Sequence, residues 1–116
     1  MIFQHTWRQV LEGVKTQTRR IAKGESPPWR VGRSYAVQPG RGQHAVGRIL
    51  VTAVRREPLG SLTARDVRAE GYESRAAFES TWAQMHGDYD ATQLVDVIEF
   101  KLEPPACGRR SDEEPG

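Results

Sequence analysis

The densest run of chemically capable side chains is Gly13-Val14-Lys15-Thr16-Gln17-Thr18-Arg19-Arg20, with three cations, two hydroxyls and an amide in eight residues. Arg19 and Arg20 offer planar forks suited to phosphates or base edges, and Lys15 offers a compact point charge. A threonine hydroxyl is a poor nucleophile until a neighbour takes its proton. Lys15 can take it if its pKa is lowered, and close positive charge from Arg19 or Arg20 acts in that direction. In a regular strand, however, residues i and i+3 point to opposite faces. Lys15 and Thr18 therefore cooperate only if the backbone turns or bulges between them. The plainer alternative is a solvated edge strand that its charges protect from aggregation.

Other side chains qualify as supporting cast. Trp29 and Tyr35 flank the basic run, and aromatics beside arginine make a stacking platform for single-stranded bases; the alternative is that both are packing residues. Arg41 sits in a turn from which it can reach a phosphate or simply be solvated. Arg48, Arg55 and Arg56 extend a basic stripe or pair with acidic helices. Glu70 reads as the last turn of a helix. His5, His44 and His86 lack metal-ligand spacing, and Asp88 and Asp90 lack the further ligands of a calcium loop. Phe78, Trp82 and Met85 read as core.

The elements that must position these groups are short. Thr6 to Glu12 is a helical segment, with Thr6 and Gln9 spaced as a capping box and Gly13 at the C′ position. Residues 14–21 are extended, or a turn entering a strand. Ser26-Pro27-Pro28-Trp29 is a loop. Ser34–Gln38 is a strand, and Pro39-Gly40-Arg41-Gly42 a turn. Ala45–Arg56 carries the longest strand signal, and its broken alternation suits a curved strand with a bulge. Thr63 with Asp66 opens a helix to about Glu70, and Ser74 opens another that Gly87 ends. The last strand covers about Gln93–Leu102, with Ile98, Phe100 and Leu102 on one face. From Pro104 to residue 116 the composition is that of a disordered tail. The expected class is α+β: a small β-barrel with flanking helices, formed by residues 1–103.

Composition narrows the function classes. The chain has 116 residues, enough for one core, and a single cysteine, Cys107, so neither a disulfide framework nor a cysteine-rich zinc site is possible within it. No apolar run approaches a membrane span and no signal-peptide core is visible, which implies a cytoplasmic protein without membrane contact. The net charge of +2 conceals an imbalance. Residues 1–56 hold 11 basic and 2 acidic side chains, and residues 57–116 hold 6 basic and 13 acidic ones. Either a polyanion binds the basic half, or the two halves neutralise each other within one fold.

The run Leu11-Glu12-Gly13, then Lys15 and Thr18-Arg19, resembles the Gly-x-Lys-x-x-x-Arg signature of the ASCH domain, a PUA-like barrel. Trp29-x-x-Gly32-x-x-Tyr35-x-Val37, Val46-Gly47-x-Ile49, Glu70-Gly71-Tyr72, Phe78, Trp82 and Val97-Ile98-x-Phe100 extend the resemblance over roughly residues 2–102. It implies binding of a nucleoside, a nucleotide or single-stranded RNA, with DNA an open alternative, in a basic cleft. Lys15, Thr18 and Glu70 are also similar to the site of the bacterial N4-acetylcytidine amidohydrolases within that family. The resemblance then implies a metal-independent, cofactor-free hydrolase: Thr18 attacks the amide, Lys15 activates it, and Glu70 orients the lysine or shuttles the proton. Arg19, Arg20, Trp29, Tyr35 and Arg41 would bind the nucleic acid or nucleotide. The alternatives are a non-catalytic RNA or modified-nucleotide binder, a ribonuclease, or a module docking on proteins through its acidic helices.

Overall fold

The computed structural model describes residues 1–4 and 6–104. Of the expected tail only Pro104 falls within that range, and Cys107 lies outside it. The elements run α1 (Trp7–Leu11), β1 (Gln17–Ile21), β2 (Ser34–Val37), β3 (Gly47–Pro58), a 3-10 turn (Leu59–Ser61), α2 (Ala64–Ala69), α3 (Arg75–His86) and β4 (Leu94–Leu102). The four strands make one antiparallel sheet in the order β1-β4-β3-β2. No ladder among the described residues joins β1 to β2, so the expected closed barrel is here an open sheet. The N-terminal segment partly occupies the gap. It lies parallel to the end of β2 through the bridge Ile2↔Gln38 and receives the Arg20 Nη2 hydrogen bond on the Ile2 carbonyl at 2.7 Å.

Each face of the sheet carries its own core. On one, Val95 and Val97 pack with Leu59, Leu62, Val67, Phe78 and Trp82 beneath α2 and α3. On the other, Phe100 and Ile49 pack with Phe3, Val10 and Val37 beneath α1. The central strand β4 is therefore buried on both sides from Val95 to Ile98, whereas the sequence suggests only one apolar face. Leu102, expected on that face, is 38 % exposed because the sheet ends there. The expected irregularity in β3 appears as a register shift between Val51 and Ala53.

Local signals decide the helix ends. Thr63 and Asp66 form a full capping box, and Gly87 closes α3 at φ +94°. Thr6 precedes α1 but its side chain makes no cap, so the capping box expected there does not form. Its φ of −130° and ψ of 10° depart from the extended backbone that aims a capping hydroxyl at the helix. Met85 is 52 % exposed and does not join the core: α3 turns it to the rim of the cavity described next.

Candidate functional site

The site assembles at the edge of β1. Gly13, at φ +78°, ends α1, after which the Val14 and Lys15 amides both donate to the Gln9 carbonyl (3.0 and 3.1 Å). The Thr16 amide then donates to the Ala69 carbonyl at the end of α2, at 2.7 Å. Lys15 thus belongs to a tight turn that precedes β1, and the strand-parity objection to its cooperation with Thr18 does not apply. The turn swings the Lys15 ammonium under the end of α2. There it donates to the Glu70 carboxylate at 2.7 Å and to the Glu70 main-chain carbonyl at 3.0 Å. Gly71, at φ +95°, turns the chain after Glu70 through a backbone region that side chains avoid.

A cavity of about 230 Å³ opens beside these groups. The N-terminal segment (Ile2, Phe3) borders it on one side and Tyr72 with α3 on the other, and Lys15, Thr18 and Glu70 line it together. Drug-sized ligands occupy about 300–1,000 Å³, so this one suits a single small ring. Lys15, Thr18 and Glu70 are all at least nine-tenths buried. The Thr18 hydroxyl has no hydrogen-bond partner among the described residues, which leaves its lone pairs and proton for a ligand. Burial pushes the Lys15 pKa below its usual 10.5, and the charges of Arg20 and Arg19 act the same way; the Glu70 carboxylate opposes them without prevailing.

Arg19 does not present its fork to the cavity. Its guanidinium has no exposed surface and lies in an acidic cage of Glu57 (3.2 Å), Glu70 (3.3 Å) and Asp66 (3.4 Å), with the Gln17 amide oxygen as a further acceptor. Gln17 in turn donates to Asp66 at 3.1 Å. Burial alone would raise the Asp66 pKa, but the Thr63 and Gln17 hydrogen bonds and the Arg19 charge hold it below the usual carboxylate range. The sequence suggests a phosphate-binding arginine; the structure shows one already enclosed by Glu57, Asp66 and Glu70.

Arg20 points to the opposite face of β1. It lies over the Phe3 ring (5.1 Å) and bonds the Ile2 carbonyl, makes no ion pair among the described residues, and lines the cavity. Trp29 and Tyr35 meet edge to face at 5.5 Å, away from Lys15. The Tyr35 hydroxyl accepts from the Arg30 amide and its ring packs on the core under α1, while Trp29 lines a neighbouring groove with Lys23 and Pro28. That groove shares Arg20, Ile21 and His86 with the cavity. Arg41 is exposed and far from both in its contacts.

Arg48, Arg55 and Arg56 form no free basic stripe. They pair with Glu103, with Glu57, Glu99 and Asp66, and with Asp96, mostly on strands and not on helices as the sequence suggests. Much of the charge imbalance is thus cancelled inside the fold. Sequence reasoning missed Tyr72, Thr6 and His86 as lining residues. Only Tyr72 carried a signal, through its place in Glu70-Gly71-Tyr72. Among the described residues no group of three or more His, Cys, Asp or Glu is placed to hold a metal ion, and no helix is long and apolar enough to cross a membrane.

No family model and no curated protein matches the sequence. Solved structures do match in fold. An ASCH domain from Lactobacillus crispatus superposes with a TM-score of 0.63 at 19% identity, covering 83% of this chain and 69% of that one. A DUF984 protein from Enterococcus faecalis superposes with a TM-score of 0.61 at 22% identity, covering 85% of this chain and 70% of that one.

Proposed function

We propose that this chain, which has the fold of an ASCH domain, binds a nucleobase or nucleotide in the cavity beside β1 and hydrolyses an amide on it of the N4-acetylcytidine type. The observation that carries the reading is the 2.7 Å contact of the buried Lys15 ammonium with Glu70 on the cavity that Thr18 also lines. In the proposed reaction the Thr18 hydroxyl adds to the acyl carbon as its proton passes to the neutral Lys15 amine. The tetrahedral intermediate expels the base's amine, which takes a proton back from the Lys15 ammonium. Water then cleaves the acyl-threonine ester, releasing the carboxylic acid and restoring the hydroxyl. Glu70 holds the lysine in reach throughout.

Acetate release from N4-acetylcytidine tests the proposal. Turnover is expected with the wild type and is expected to fall to background in Thr18→Ala, whose fold should be unchanged because the hydroxyl supports nothing else in the site. The lowered Lys15 pKa gives the sign of the pH profile. Neutral amine accumulates as pH rises, so kcat/KM climbs and levels off below pH 10.5. Equal turnover by Thr18→Ala would overturn the mechanism.

A second reading, binding of single-stranded RNA without catalysis, is favoured by the groove that continues from the cavity past Arg20 to Lys23 and Trp29. It expects affinity for an oligonucleotide that falls with added salt as phosphate contacts are screened, and no acetate release.

A further inference from the structure

Arg19 faces the cavity in an unexpected way. Its side chain has no exposed surface, yet the residue as a whole keeps 5 % exposure, so what solvent can touch is main chain. Strand parity says where that main chain points. The Phe100 amide donates to the Thr16 carbonyl and the Ala22 amide donates to the Leu94 carbonyl, so the even-numbered residues of this segment turn their peptide groups towards β4. Arg19, like Gln17 and Ile21, turns its N–H and C=O the other way. On that side β1 has no neighbouring strand, and none of the described residues bonds the Arg19 amide or carbonyl. A main-chain donor and acceptor that no described residue bonds, open at the rim of a cavity, are free to pair with a ligand.

In an extended residue, N–H and C=O project side by side. That is the pattern of one donor and one acceptor carried by the Watson–Crick edge of a nucleobase. We infer that the free edge of β1 at Arg19 pairs with the Watson–Crick edge of the bound base, so that the ligand class is an unpaired base with that edge unblocked. The inference rests on the nucleobase reading above and adds to it the orientation of the base. A uracil ring would donate its N3–H to the Arg19 carbonyl and accept the Arg19 amide on a neighbouring carbonyl. A cytosine ring would donate from its 4-amino group and accept on N3. A duplex cannot serve, since its partner strand occupies the same edge. The buried guanidinium acts here as an anchor: its ion pairs fix the strand so that the two main-chain groups hold still.

Uridine, 5-methyluridine and 3-methyluridine distinguish the outcomes, because the two methyl groups have equal bulk and neither adds charge. With the full-length protein labelled with ¹⁵N, uridine and 5-methyluridine are expected to bind alike and to shift the Arg19 amide resonance. 3-Methyluridine is expected to bind at least tenfold more weakly and to leave that resonance in place. Equal affinity for all three, or binding that never moves the Arg19 amide, overturns the inference while the nucleobase reading stands. If no nucleoside binds, including N4-acetylcytidine, both fail together.

Discussion

Arg19 and Arg20 are chemically identical neighbours on one strand, and the sheet gives them opposite fates. Arg19 faces the helices and is enclosed by Glu57, Asp66 and Glu70. Arg20 faces the N-terminal segment, with an aromatic ring and a carbonyl for company. Burial lowers the Arg20 pKa, and the Glu70 charge offsets this only in part. A pair of adjacent arginines thus divides into one that builds the site and one that can meet a ligand. Strand parity makes the division.

The largest effect should come from Arg19→Ala, which strands three carboxylates without their common partner. A loss of about 3–5 kcal/mol is expected, read as a shift in the urea midpoint at neutral pH. Arg20→Ala should cost far less, about 1 kcal/mol for the ring contact and one hydrogen bond, while weakening oligonucleotide binding at low salt. Equal destabilisation by the two variants would erase the distinction drawn between them.

Asp66→Asn probes the acidic cage more gently, at about 1 kcal/mol, because the amide keeps part of the capping geometry with Thr63. The Asp66 carboxyl is held below its usual pKa of 3.8, so its stabilisation is present above that value and lost as pH falls through the lower, folded one. Wild type and Asp66→Asn should therefore differ most near neutrality and converge in acid, as thermal melts across that range would show. The smallest effect is expected from Arg41→Ala, which should leave both melting temperature and nucleoside affinity unchanged, since its exposed side chain touches neither the cage nor the cavity. A weakened affinity would extend the ligand's reach well beyond the edge of β1.

How much of this was readable beforehand follows from the range of each interaction. Gly13, Gly87 and the pairing of Thr63 with Asp66 mark helix ends because partners lie within a few residues. The strands announced themselves through β-branched runs, and the ASCH-type signature pointed to the fold. Strand order did not, because β1 pairs with a strand more than seventy residues away. The fate of Arg19 was equally hidden: two of its carboxylate partners lie 38 and 51 positions along the chain. Thr6 and Met85 misled for the opposite reason. Their local patterns were sound, but the backbone at Thr6 and the edge position of Met85 on α3 were set by packing.

The register shift in β3 falls before Arg55 and Glu57 and so has a bearing on the acidic cage. Before it, Ile49 and Val51 stand opposite Leu102 and Phe100; beyond it, Ala53, Arg55 and Glu57 stand opposite Glu99, Val97 and Val95. Odd-numbered residues accordingly change sides of the sheet midway along one strand. The extra residue, Thr52, works as a phase shifter: it lets a single segment lend hydrocarbon to the layer under α1 and then carboxylate to the layer under α2. Were Thr52 taken into the ladder as an ordinary paired residue, Glu57 and Arg55 would turn away from Arg19 and Asp66; held outside it as an extra residue, it leaves both on the side of Val95 and Val97. In β3, where a charge ends up is a matter of counting, and one residue is the unit of rewiring.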